Sequence, residues 1–150
     1  MRLLTREVIK LEMTENEKKK EFLMSYQKEK RRVRRLEEQL EELRQNKMSP
    51  SVTNDGMPHG TDKKDLSDYA VKVDEIEQEL VAARYSRICA FQDVQKRIET
   101  MEDEREKDVL KYRYLALMKW DKIAIKMQKS YRQVLRIHGT ALQHFTRTDV

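Results

Sequence analysis

Glycine, proline and cysteine are all scarce in this chain of 150 residues, with three, two and one of each. So few glycines and prolines leave few breaks in the backbone. The single cysteine, Cys89, excludes an internal disulfide, and a reducing, cytoplasmic setting fits it. Aromatic residues make up only 7% of the chain, and 39% is charged with a mean hydropathy of −0.92, so a thick two-layer globule containing a sheet would be hard to fill. No run approaches the roughly 18 to 20 apolar residues that span a bilayer, and no apolar stretch follows the charged N-terminus as an export signal requires. Also missing are a glycine-rich phosphate loop, a nucleophile elbow and any acid/base constellation. His59, His138 and His144 have no metal-ligand spacing. An enzyme, a cofactor and a membrane are therefore not expected.

What is present is the material of long helices: Glu, Lys, Arg, Leu and Met in abundance. The formal charge is +5, unevenly distributed. Residues 1–48 carry 14 basic and 10 acidic side chains, residues 49–104 carry 7 and 13, and residues 105–150 carry 11 and 4. The C-terminal third is thus the electropositive end, a distribution that favours encounter with a phosphate backbone.

Periodicity predicts an all-α chain. From about Glu15 to Gln45, Phe22, Tyr26, Val33, Leu36, Leu40 and Leu43 recur at three- and four-residue spacing, interrupted at Glu29. This reads as one long N-terminal helix, residues 1–45, with a coiled-coil-like seam. Residues 1–12 are read as a potential extension, with Met13 as an alternative start. Residues 46–64 collect both prolines and two of the glycines, and read as a loop or linker. A second long helix, residues 65–103, carries Leu66, Tyr69, Val73, Ile76, Leu80, Ala83, Ile88, Phe91, Ile98 and Met101 on its apolar stripe. The two helices can hide their stripes against each other as an antiparallel hairpin, or against copies in an oligomer. Within this region Lys28–Arg35 is the densest basic cluster. It reads as a solvated helix flank, with the following Glu37, Glu38, Glu41 and Glu42 as partners, or as a second phosphate contact.

Residues 104–146 hold three short helical patterns, 109–115, 120–127 and 131–145. Short helices with tight joins are the raw material of a helix-turn-helix. Ile123, Ala124 and Met127 face inward in the second. In the third, Ser130 stands at the N-cap position with its hydroxyl available to the amide of Gln133, and Val134, Ile137, Ala141 and Phe145 form the buried stripe. The opposite face shows Arg132, Gln133, Arg136 and Thr140. Arg can pair bidentately with guanine and Gln with adenine, which makes this face a candidate reader of the major groove. Trp120 reads as a core plug, His138 as a packing or capping residue, and Cys89 as a small buried hydrophobe.

The string from Leu110 to Leu142, read as L-x-x-R-Y, W-x-x-I-A and S-x-R-x-V-x-x-I-H-G-x-A-L, resembles region four of the sigma factors. The wider layout, including Ser49-Pro50 and Met57-Pro58 in the loop, resembles a family of Gram-positive phage proteins of unknown function related to the RinA and ArpU-type late transcriptional regulators. The resemblance covers about residues 20–145 and implies a recognition helix beginning at Tyr131. The chain departs from that pattern at Leu117 and Gln128, where the two turns usually carry Gly, and at Lys119, where the second helix is usually capped by Thr.

The expectation is a sequence-specific regulator bound to double-stranded DNA, with Tyr131, Arg132, Gln133 and Arg136 on base edges and Lys119, Lys122, Lys126, Lys129 and Ser130 on phosphates. The long helices would set a homo-oligomer or contact host RNA polymerase. The alternatives are a structural DNA-packaging adaptor of the small-terminase type and a coiled-coil protein that binds host polymerase or sigma factor without touching DNA.

Overall fold

A capping box opens the first helix: the Thr14 hydroxyl accepts from the Glu17 amide at 3.3 Å while the Glu17 carboxylate accepts from the Thr14 amide at 2.8 Å. The computed structural model describes residues 14–48 and 62–147, with side chains described for 14–46 and 65–147. The extension at residues 1–12, the alternative start at Met13, the Ser49-Pro50 and Met57-Pro58 pairs and His59 lie outside the described residues. The described chain is all-α, without a strand. Its helices are α1 (Glu15–Leu23), α2 (Ser25–Met48), α3 (Asp62–Glu99), α4 (Glu104–Leu110), α5 (Trp120–Met127) and α6 (Tyr131–His144), with a π-helical segment at Lys111–Leu115.

The single N-terminal helix expected from periodicity is interrupted at Met24, whose amide is bonded back to Lys20 and which stays in the right-handed region. The Met24 carbonyl accepts from Lys28 at 3.0 Å, so the interruption is local. Helix α2 continues to Met48 and α3 begins at Asp62, each extending a few residues into the expected linker.

By their contacts the residues form two compact units, one holding the described residues up to Lys28 and from Ile88 onward, the other Glu29–Arg87. The second unit is a hairpin. Val33, Leu36 and Leu40 on α2 pack with Leu80 and Ala83 on α3, flanked by Val73 and Ile76. The ion pairs Glu37–Arg84 and Arg44–Glu77 run antiparallel along its edges at 3.0 and 2.9 Å. The seam is therefore filled within one chain. Arg34 pairs with Glu38 one turn on, at 2.9 Å, so part of the basic cluster is a solvated flank. Glu29 is where the apolar seam lapses: its Oε2 is buried without a hydrogen bond, and the nearest cation, Arg32 Nη1, is 3.9 Å away.

Two residues assigned to the α3 stripe are on the surface instead: Leu66 is 53% exposed and Ile88 51% exposed. Periodicity places residues on a common face but does not say how far along the helix that face is covered.

In the first unit the C-terminal helices share their core with α1 and the end of α3. Leu23, Val94, Ile98 and Met101 pack with Leu110, Tyr114, Ala141, Leu142 and Phe145. The Phe22 and Phe145 rings lie 6.0 Å apart. Lys19 Nζ donates to the Leu142 carbonyl at 2.7 Å, placing a cation on the carbonyl end of α6 where the helix dipole favours one. Tyr26 meets Phe91 edge-on at 5.1 Å. A second cluster joins Val109, Ile123, Ala124 and Val134, with Tyr112, Trp120 and Ile137 against it.

The π segment serves both clusters. Its wider turn, closed by the Ala116 amide on the Lys111 carbonyl at 2.9 Å, shifts the register so that Tyr114 and Leu115 reach the first cluster and Tyr112 the second.

Candidate nucleic-acid interface

Helices α5 and α6 are held in place by two turns that both require a left-handed residue. Leu117 and Gln128 each have φ of 55°, and they are the only described non-glycine residues with positive φ. The Gln128 turn is a Schellman motif: the Gln128 amide donates to the Ile125 carbonyl at 3.2 Å and the Lys129 amide to the Ala124 carbonyl at 3.0 Å. The Leu117 turn is tied by Arg113, whose guanidinium donates to the Met118 carbonyl at 3.1 Å.

Ser130 then caps α6, accepting from the Gln133 amide at 3.2 Å. The cap is reciprocal, because the Gln133 side-chain oxygen accepts from the Ser130 amide at 2.9 Å. Sequence reasoning took the first bond and missed the second, although S-x-x-Q is its signature. The consequence is chemical. A glutamine reading adenine needs both its oxygen and its nitrogen, and here the oxygen is already engaged. Gln133 can offer its amide N–H₂ without disturbing the cap.

Arg132 and Arg136 lie one turn apart on the solvent face, both exposed. Tyr131 is 52% exposed at the first position of the helix. Leu135 stands between the arginines at 38% exposed, and a Cβ added at Gly139 would meet no atom within 4 Å, so this face is low and open. Thr140 turns its hydroxyl back onto the Ile137 carbonyl at 2.9 Å and is committed to its own helix. Inward, Val134, Ala141 and Phe145 are fully buried, as their spacing indicates.

Among the phosphate candidates, Lys119, Lys122, Lys126 and Ser130 are exposed and Lys129 is half-buried. Lys126 has its ammonium 5.0 Å from the centre of the Tyr112 ring. Lys119 makes no side-chain cap, so the first amides of α5 have no side-chain partner. From Lys122 to Arg147 there is no Asp or Glu, whereas Lys122, Lys126, Lys129, Arg132, Arg136 and Arg147 all fall there. The electropositive end is thus a continuous basic stretch carried largely by α5, its turn and α6.

Behind this face, Tyr114 and His138 share a buried hydrogen bond of 2.8 Å, and the His138 ring meets Trp120 edge-on at 4.7 Å. Burial, helped by nearby Lys20 and Arg113, drives the His138 imidazole down to about 4, so it is neutral near pH 7. Burial pushes the Tyr114 phenol up to about 12. Arg113 lies over the Trp120 ring at 4.5 Å. Trp120 and His138 are therefore packing residues, as expected of them. Cys89 is only half-buried. At the other end of α6, His144 Nδ1 is 2.9 Å from both oxygens of the buried Glu106, a clasp between α4 and α6 that no local sequence pattern announces. Among the described residues no three His, Cys, Asp or Glu side chains are placed to hold a metal ion, and no helix is long and apolar enough to cross a membrane. Compared with protein-family models, with curated proteins and with solved structures, the chain has no significant match in any of the three.

Proposed function

We propose that the chain is a sequence-specific, double-stranded DNA-binding transcriptional regulator of phage type, in which α6 enters the major groove. The observation that carries this reading is the basic face itself. Two short helices joined by a capped turn present Arg132 and Arg136 side by side, on a stretch free of acidic residues from Lys122 to Arg147. In this reading Arg132 and Arg136 contact base edges, Tyr131 contacts a base methyl or the backbone, and Gln133 donates through its free N–H₂. Lys119, Lys122, Lys126, Lys129 and Ser130 fix the register on phosphates, aided by the uncapped amides at the start of α5.

The hairpin is the part assigned to host RNA polymerase or to a second copy. Its seam is occupied internally, so such a contact uses the exposed apolar residues Leu66, Val71 and Val81 instead.

Selection of bound duplexes from a random pool, followed by titration of the enriched sequence over a range of salt concentrations, tests the reading. A DNA regulator enriches a motif and loses affinity steeply with salt, because each neutralised phosphate contributes a slope of about −0.9 in log K against log salt. A pool that stays random together with salt-insensitive binding removes DNA from the account, and leaves the adaptor and polymerase-binding alternatives.

A further inference from the structure

A cavity of about 300 Å³ opens beside the Tyr114–His138 pair, walled by α1, the start of α2, the π segment and α6. Lys20, Gln27, Arg113 and His138 supply its polar lining, and Met24 and Leu117 are among its apolar residues. No carboxylate lines it. The chain has 27 acidic side chains, and α1, α2 and α4 pair charges locally. Lys20 makes no ion pair among the described residues. Arg113 is held by the Met118 carbonyl and the Trp120 ring, neither of which neutralises it. Both cations lie close enough to His138 to help keep its ring uncharged. Two positively charged side chains thus line one recess, with no carboxylate among its described lining residues to balance them.

We propose that this cavity binds a small phosphate monoester, its phosphate held between Lys20 and Arg113 and its organic body resting on Met24 and Leu117. A phosphate monoester carries about −1.5 to −2 near pH 7, which matches the two unbalanced cations. The volume lies at the lower end of small-molecule sites, about 300–1,000 Å³, and leaves room beyond the phosphate itself. Gln27 adds an amide donor to the lining, and the neutral His138 adds a ring nitrogen without a third charge. Bound there, the ligand would tie α1 to the π segment and α6, all within one compact unit.

The probes are phenyl phosphate and inorganic phosphate, titrated into the full chain at constant ionic strength. Calorimetry and thermal denaturation are followed together with the His138 ring resonances. One saturable site is expected, tighter for phenyl phosphate, with a rise in Tm and a shift of the His138 signals. Lys20 is exposed, so Lys20→Gln and Lys20→Glu are expected to keep the parent's circular dichroism. Loss of one charge-assisted contact weakens binding about tenfold for Lys20→Gln, and charge reversal abolishes it. No saturable binding of either probe overturns the proposal, as does binding that both Lys20 variants leave unchanged. A third outcome, in which neither probe binds but Lys20→Glu lowers affinity for duplex DNA, assigns the cations to a backbone phosphate and equally overturns a small-molecule site.

Discussion

Gln128→Gly is expected to stabilise the protein although it removes a side chain. Gln128 holds φ of 55° in the Schellman turn between α5 and α6, and its side chain is exposed. For an L-residue the left-handed region costs about 1–2 kcal/mol, because Cβ crowds the following carbonyl. Glycine escapes that cost but loses more backbone freedom on folding, a counter-term of about 0.5–1 kcal/mol. Taking low with low and high with high, the difference leaves a gain of about 0.5–1 kcal/mol, or about 2–8 °C in Tm for a unit of this size. Urea denaturation of the parent, Gln128→Gly, Gln128→Asn and Gln128→Ala gives the comparison. Asparagine, which tolerates the left-handed region, falls between parent and glycine, and alanine, which keeps Cβ, gains nothing. If glycine and alanine leave the midpoint equally unchanged, the turn is not strained and the reasoning fails.

Acidification is expected to act on His138. Its folded value of about 4 lies below the usual 6.5, so between those pH values the unfolded chain holds a proton that the folded chain does not, and stability falls as pH falls through that window. The loss reaches up to about 3 kcal/mol near pH 4. A His138→Gln variant, which keeps an acceptor for Tyr114, should show a shallower decline between pH 6.5 and 4.5 in parallel denaturation curves. Glu29→Leu should raise stability by about 1 kcal/mol or more by continuing the seam past a buried oxygen that lacks a hydrogen bond, and an unchanged or lower urea midpoint would contradict this. His144→Ala leaves the Glu106 carboxylate buried without its partner and should cost about 1–3 kcal/mol, while Glu106→Gln in that background should recover part of the loss by removing the charge.

Much of the candidate interface was legible because its signals are local. Ser130 as a cap, Ile123 and Ala124 facing inward and the buried spacing Val134, Ala141, Phe145 each depend on residues within two turns, and the structure reproduces them. The turns at Leu117 and Gln128, which the sequence builds without glycine, are the two described places where a non-glycine residue is left-handed. Two capping boxes had signatures that could have been read, T-x-x-E at Thr14–Glu17 and S-x-x-Q at Ser130–Gln133. The latter changes what Gln133 can do. Long-range contacts had no such signature: Lys19 on the Leu142 carbonyl joins residues 123 apart in sequence, and Glu106–His144 and Tyr114–His138 bridge 38 and 24. The exposed Leu66 and Ile88 show the opposite limit, since a helical stripe extends as far as the pattern runs whether or not anything covers it.

The most direct test of the account is the affinity of Arg132→Ala and Arg136→Ala for the duplex selected by the parent, measured by fluorescence anisotropy at fixed salt. Each substitution is predicted to cost about 1–3 kcal/mol on the selected site and to relax preference at the base it contacts, while affinity for random duplex falls much less. Parent-like affinity and parent-like preference in both variants would contradict the assignment of α6 as the helix that reads DNA.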